Sequence, residues 1–244
     1  MLLLTIENTA ELNAMTEAMQ AELGEKLAQA AADDAVRGVL ITGAGQRAFC
    51  AGGSMSSLLA ITDERGIEGL YRRGTRITDT IRGMEKPVVA AVNGWCIGAG
   101  FETAMACDYV CAADTAGFAL TEINMGFIPD WGALAHLRQN THPAVRDMLL
   151  LGKKLHAQQA FEAGIVHRLC SPQQLMQQAR DVLAELAAKP PLAYAAMKRV
   201  LNNDMLRQQR ACIHELNAGL MQSQDYHEAV AAFTEKRKPV FMGR

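Results

Sequence analysis

Hydrophobic positions along the chain follow two rhythms. Leu2-Leu3-Leu4-Thr5-Ile6 is a short apolar, partly β-branched run that predicts a first strand. From Thr16 to Ala31, apolar residues recur at Met19, Leu23, Leu27 and Ala30, the spacing of a helix face, and Asp33-Asp34 breaks it. Val36 to Thr42 carries Val39, Leu40 and Ile41 in succession, as expected of a strand buried on both faces. Val88–Val92, Tyr109–Ala112 and Gly117–Leu120 read as further short strands. Residues 43–57 (GAGQRAFCAGGSMSS) form a long glycine loop, and 64–84 are a polar, Arg-rich helix assigned to the surface or to a lid. Residues 125–132 (MGFIPDWG) are a loop with a Pro-Asp turn signal.

Beyond residue 133 the pattern becomes helical: His142–Leu151, Ala157–Ala163 and Ser171–Ala187. Ser171-Pro172-Gln173-Gln174 predicts a helix start, with Ser at the N-cap and Pro at N1. Leu192 to Met221 continues as helix, and Asp225-Tyr226-His227-Glu228 opens a last one ending near Glu235.

Composition narrows the class. Half of the 244 residues are hydrophobic, enough for a sizeable core, and the net charge of −2 gives no reason to expect nucleic acid or an anionic membrane as partner. Met1–Ile6 is too short for a membrane span or a signal segment, so a soluble cytoplasmic protein is expected. The first strand begins abruptly, which points to residues missing ahead of Met1. Cysteines 50, 96, 107, 111, 170 and 212 show neither a CxxC pair nor metal spacing, and they read as reduced thiols. The six histidines show no ligand spacing, and no metal is expected.

Chemistry concentrates in Lys86–Asp108 (KPVVAAVNGWCIGAGFETAMACD). An apolar run ends in Asn93-Gly94, Gly98-Ala99-Gly100 follows, and Glu102 comes at the start of a small-residue helix. Free backbone N–H groups at a helix start favour an anion. Glu102 could equally be a first-turn glutamate that improves its helix. Glu122 ends a short apolar strand among buried-looking neighbours, and a buried carboxylate needs a partner or a task. Asp130, after Pro129, reads by itself as a turn aspartate. Gly43-Ala44-Gly45-Gln46-Arg47-Ala48 fits the dinucleotide fingerprint GxGxxG/A, but Phe49–Gly53 places two more glycines where the helix should continue, so a nicotinamide or flavin site is disfavoured. The Ser54, Ser56 and Ser57 cluster lacks a G-x-S-x-G elbow. Glu235-Lys236-Arg237-Lys238 is a solvated helix end or a phosphate contact.

Read together, the segments resemble the crotonase (enoyl-CoA hydratase/isomerase) superfamily. They are Asn13-Ala14-Met15, GVLITGAGQRAFCAGG (38–53), Lys86–Asp108, FALTEINMGFIPDWG (118–132), LLGKKLHAQQAFEAGIVHRL (150–169) and AFTEKRKPVFMGR (232–244), in the family's order across nearly the whole chain. The resemblance implies an α/β fold, a crotonase-like spiral of β-β-α units over 1–190, with a helical C-terminal trimerisation part over 191–244 and trimers that pair into hexamers. It implies an acyl-CoA thioester substrate and no cofactor besides the coenzyme A carried by that substrate.

By the same resemblance, the N–H groups of Gly53 and Ala99 form an oxyanion hole, while Glu102 and Glu122 hold a water, the first as base and the second as donor of the α-proton. Ser54, Met55 and Ser56 would flank the pantetheine and thioester, and Phe233 with Lys236 would contact the nucleotide. Two departures stand out. Ser54 replaces a common aspartate, and Asp130 stands where a hydratase usually has glycine, as in isomerase-like members that shuttle a proton along the acyl chain. Trp131 and Trp95 narrow the pocket. The leading expectation is hydration of a 2-enoyl-CoA. The alternatives are an enoyl-CoA isomerase using Glu122 or Asp130, and a non-catalytic acyl-CoA-binding member.

Overall fold

Strands whose residues are all buried need cover on both faces, and this chain supplies it with helices. The structure is a computed structural model that describes residues 1–202 and 205–242, with the backbone alone for 205–212. In chain order the elements are β1 (Leu2–Ile6), α1 (Glu17–Ala32), β2 (Val39–Gly43), β3 (Ala48–Cys50), α2 (Met55–Leu59), α3 (Glu64–Gly83), β4 (Val88–Val92), β5 (Trp95–Ile97), α4 (Ala99–Ala106), β6 (Tyr109–Ala113) and β7 (Gly117–Ala119). A 3-10 turn at Glu122–Met125 leads to α5 (Ala133–Leu137), α6 (Pro143–Leu151), β8 (Leu155–His156), α7 (Ala157–Glu162), β9 (Arg168–Cys170), α8 (Leu175–Ala187), α9 (Pro191–Leu201), α10 (Met205–Leu220) and α11 (Gln224–Thr234).

From β2 to β7, successive strands alternate between two sheets. The first is parallel, in the order β1-β2-β4-β6-β9; the second runs β3-β5-β7-β8, with only β8 antiparallel. The pairs β2-β3, β4-β5 and β6-β7 thus each add one strand to each sheet before the chain turns into helix, the β-β-α spiral implied by the resemblance. Side-chain alternation divides the first sheet's residues between two cores. Leu40, Val89, Ala91, Cys111 and Ala113 meet Leu175, Ala179, Val182 and Leu183 of α8. Val39, Ile41, Val88, Ala90 and Val92 face the other way into the main core with Leu27, Ile77, Ile81 and Phe101.

The structure corrects several expectations. The glycine loop at 43–57 contains β3 and α2, and Trp95–Ile97 after the Asn93-Gly94 turn is a strand. Strands of three residues are too short to show a period. The Arg-rich segment at 64–84 is an amphipathic core helix: Ile67, Leu70, Ile77 and Ile81 are buried, and so is Arg82. Its abundant charge, carried on the outward face, masked that stripe. Ser171 does not cap α8, which begins at Leu175 after a turn; its hydroxyl lies 3.1 Å from Gln174 Oε1 instead. The helix expected over Leu192–Met221 is two helices, the first ending at Leu201.

A buried ion pair ties the C-terminal helices to the sheet. Lys198 Nζ of α9 donates to Asp108 Oδ2 at 2.7 Å, and the Val88 N–H donates to the same oxygen at 2.8 Å. Among the described residues no helix is long and apolar enough to cross a membrane. The five cysteines with described side chains are free thiols; Cys212 lies outside the described side chains.

Candidate active site

Two glycine turns come together at one end of the second sheet. Met15 forms a parallel bridge with Gly53: its N–H donates to the Gly52 carbonyl at 2.8 Å, and its own carbonyl accepts from the Ser54 N–H at 2.9 Å. Both bonds use the residues flanking Gly53, so the Gly53 N–H faces the other side. Gly52 has a φ of +106°, and a Cβ there would stand 3.3 Å from the Ile97 carbonyl and 3.8 Å from the Ala99 nitrogen. The first helical N–H of α4, that of Ala99, has no intrahelical acceptor. Gly53 and Ala99 line the same cavity of about 400 Å³. Gly53 and Ala99, each with a backbone N–H free of these bonds, therefore border one space.

The same cavity is bordered by three buried carboxylates, Glu102, Glu122 and Asp130. Glu102 Oε1 accepts the N–H groups of Trp131 and Ala133, each at 3.0 Å. Those bonds favour its anion, but burial and the charges of Asp130 and Glu122 outweigh them and raise its pKa well above the usual carboxylate range. Glu122 opens the 3-10 turn, and its Oε2 is buried with no hydrogen-bond partner among the described residues. Burial pushes its pKa up to about 7, with Asp130 adding to the effect and nearby backbone N–H groups opposing it. Burial likewise raises Asp130 to about 6, against the effect of the nearby Asn217 amide. Crowded carboxylates cannot all ionise at once, so the group retains a proton near neutral pH.

A second layer fixes these groups. Thr78 Oγ1 donates to the Trp131 carbonyl at 2.8 Å and Arg82 Nη1 at 3.4 Å, holding the loop whose N–H groups bind Glu102. The Trp131 indole lies where a Cβ on Gly74 of α3 would be. Arg82 is buried, which lowers its pKa, while the nearby Glu102 charge favours its cation. Lys154 lines the cavity with its ammonium 4.8 Å from the Trp95 ring centroid.

Of the residues singled out in the sequence, Glu102, Glu122, Asp130, Gly53, Ala99, Met55 and Phe233 line the cavity, and Ser54, Ser56 and Lys236 do not. Ser54 is buried and caps α2, its Oγ accepting the Ser57 N–H at 3.2 Å. Arg82, Lys154 and Asn217 were not singled out. Arg82 sits on the apolar stripe of α3 and could have been suspected once that stripe was recognised; Asn217 carries no signal in its own segment.

The profile of the family described as Enoyl-CoA hydratase/isomerase matches residues 1–244. The chain belongs to the enoyl-CoA hydratase/isomerase family. Among its crotonase-superfamily relatives, carnitinyl-CoA dehydratase of Proteus mirabilis (strain HI4320) is 34% identical over 240 residues, covering 95% of this chain and 91% of its own. The carnitinyl-CoA dehydratase of Escherichia coli (strain K12) is 35% identical with the same coverage. An enoyl-CoA hydratase structure from Mycobacterium avium subsp. paratuberculosis K-10 superposes with a TM-score of 0.85 at 28% identity, covering 98% of this chain and 94% of that one. A carnitinyl-CoA hydratase structure from Mycobacterium avium gives 0.85 and 28%, with 100% and 95% covered.

Proposed function

We propose that the protein adds water reversibly across the 2,3 double bond of a 2-enoyl-CoA, with Glu102 and Glu122 as the acid–base pair and Gly53 and Ala99 as the oxyanion donors. The observation that carries this reading is Glu122 Oε2, a buried carboxylate oxygen without a partner among the described residues, in the cavity that Glu102 also borders. In the forward direction the thioester oxygen accepts the Gly53 and Ala99 N–H groups. In the state that carries the shared proton on Glu122, Glu102 takes one proton of the water as its oxygen bonds to Cβ, the double-bond electrons move into the enolate, and Glu122 gives its proton to Cα. The reverse sequence expels water from a 3-hydroxyacyl-CoA. A carboxyl poised near neutral pH suits a group that must both give and receive a proton. Backbone donors aimed at the developing oxyanion contribute about 3 kcal/mol each at the transition state.

The relatives' names favour a carnitinyl thioester as one acyl group to test. No resident cofactor is needed, since coenzyme A arrives with the substrate. Asp130 supports a second reading, enoyl-CoA isomerisation, because it is a third buried acid bordering the same cavity. In that reaction Asp130 or Glu122 would move a proton between carbons. The oligomer proposed is a homotrimer or hexamer, which would cover the exposed Leu192, Met197, Val200 and Leu201 of α9. A reducing cytoplasmic setting suits the free thiols.

Crotonyl-CoA, a 3-enoyl-CoA and carnitinyl-CoA, followed by ultraviolet absorbance, separate the readings. Loss of the enoyl-thioester band from crotonyl-CoA, or its appearance from carnitinyl-CoA, supports water addition and removal. A conjugated product from the 3-enoyl substrate alone favours isomerisation, and tight binding without turnover of any of them leaves a binding protein.

A further inference from the structure

Asn217 lies on α10, far along the chain from the acids, and is fully buried. Its side-chain amide pairs with Ile128 at both backbone groups: the Ile128 N–H donates to Oδ1 at 2.9 Å, and Nδ2 donates to the Ile128 carbonyl at 2.7 Å. This double bond pattern mimics a strand partner and pins the loop two residues before Asp130. The same amide is close enough to the Asp130 carboxylate to favour its anion. At its other end the loop is held by Glu102 through the N–H groups of Trp131 and Ala133. Asp130 therefore sits on a loop clamped from both sides, by an acid of the site and by a neutral amide from the C-terminal helices.

We propose that Asn217 is a positioning residue for Asp130: it clamps the 127–131 loop and keeps the Asp130 carboxylate turned into the cavity as a third proton-handling group. Burying an amide completely is unfavourable unless its hydrogen bonds are made, and here they are made to the segment that carries the acid. An amide donor beside a carboxylate favours its ionised form, so Asn217 opposes the upward push of burial on Asp130.

The surrounding charges pull in both directions. Glu102 of α4 and Glu122 of the 3-10 turn favour the protonated form of Asp130. Arg82 of α3, bonded to the neighbouring Trp131 carbonyl, and Lys154 at the cavity wall favour the anion. His136 of α5 has its pKa lowered by burial and by Arg82, so it stays neutral near pH 7. His214 of α10 stacks on Tyr71 of α3, with ring centroids 3.9 Å apart. Asn217 is the neutral group that bonds the loop backbone at both the N–H and the carbonyl of Ile128.

This inference extends the proposed acid–base site, and its test separates the two. The Asp130 carboxylate is titrated by ¹³C NMR in protein labelled at aspartate, with its signal assigned by its loss in Asp130→Asn. Asn217→Leu keeps the side-chain size and removes donor and acceptor; Asn217→Ala serves if the Leu variant does not fold. The expected result is an Asp130 titration midpoint moved upward by about one pH unit, with the acid limb of kcat/KM moving alongside it. In the Asp130→Asn background, Asn217→Leu should leave that limb where it is. An unmoved midpoint in a folded variant overturns the proposal, whether or not the enzyme turns over. A moved midpoint in a protein that hydrates no enoyl-CoA upholds the role of Asn217 and removes the proposed function.

Discussion

Gly98 makes room for Glu122: a Cβ on Gly98 would stand 2.8 Å from Glu122 Oε1. Gly98 also has a φ of +52° and caps the N-terminus of α4, so the residue that turns the chain into the helix also admits the carboxylate. Gly98→Ala should displace Glu122 and strain the turn that presents the Ala99 N–H. The expected result is a fall in kcat/KM of about 100-fold or more on the active acyl-CoA. Wild-type kinetics in this variant would show that the contact has no bearing on turnover.

Glu102→Gln keeps an oxygen that can accept the Trp131 and Ala133 N–H groups, so the loop should remain in place. Glu122→Gln likewise keeps the shape of its side chain. Each substitution removes a proton carrier and should lower kcat by about 10²- to 10⁴-fold with little change in thermal midpoint. Full activity in either one contradicts the two-glutamate mechanism.

Glu122 also sets a pH dependence of stability. Its pKa rises from an ordinary 4.5 to about 7 in the fold, so the folded state holds a proton that the unfolded state has released between those values. Stability therefore falls as pH rises from about 4.5 to about 7, then levels. Urea unfolding of wild type and Glu122→Gln across this range should show the variant gaining about 3 kcal/mol relative to wild type by pH 8. A constant difference across the range would contradict the raised pKa.

Lys198 and Asp108 form a buried pair at a distance from the cavity. Lys198→Met leaves the aspartate buried without its cation and should destabilise the protein by about 3 kcal/mol. Asp108→Asn combined with Lys198→Met should recover part of that loss. The kinetics of the folded fraction should stay near wild type, which chemical unfolding and active-site titration together would check.

The sequence by itself determined the helix and strand rhythm, the glycine turns, and the membership read from six ordered segments. The resemblance also pointed to Glu102, Glu122, Gly53 and Ala99, which border one cavity in the fold. Only the tertiary structure decided what those residues touch. The buried carboxylates come from α4, a 3-10 turn and a loop, brought together when successive strands alternate between two sheets. Arg82 escaped notice because its helix looked like a charged surface segment, although four of its apolar residues face the core. Asn217 was invisible because a buried amide has no periodic signature; its partner, Ile128, is 89 residues away. Local pattern reports what a segment can form, while the ionisation of Glu122 and Asp130 depends on which segments exclude water from them.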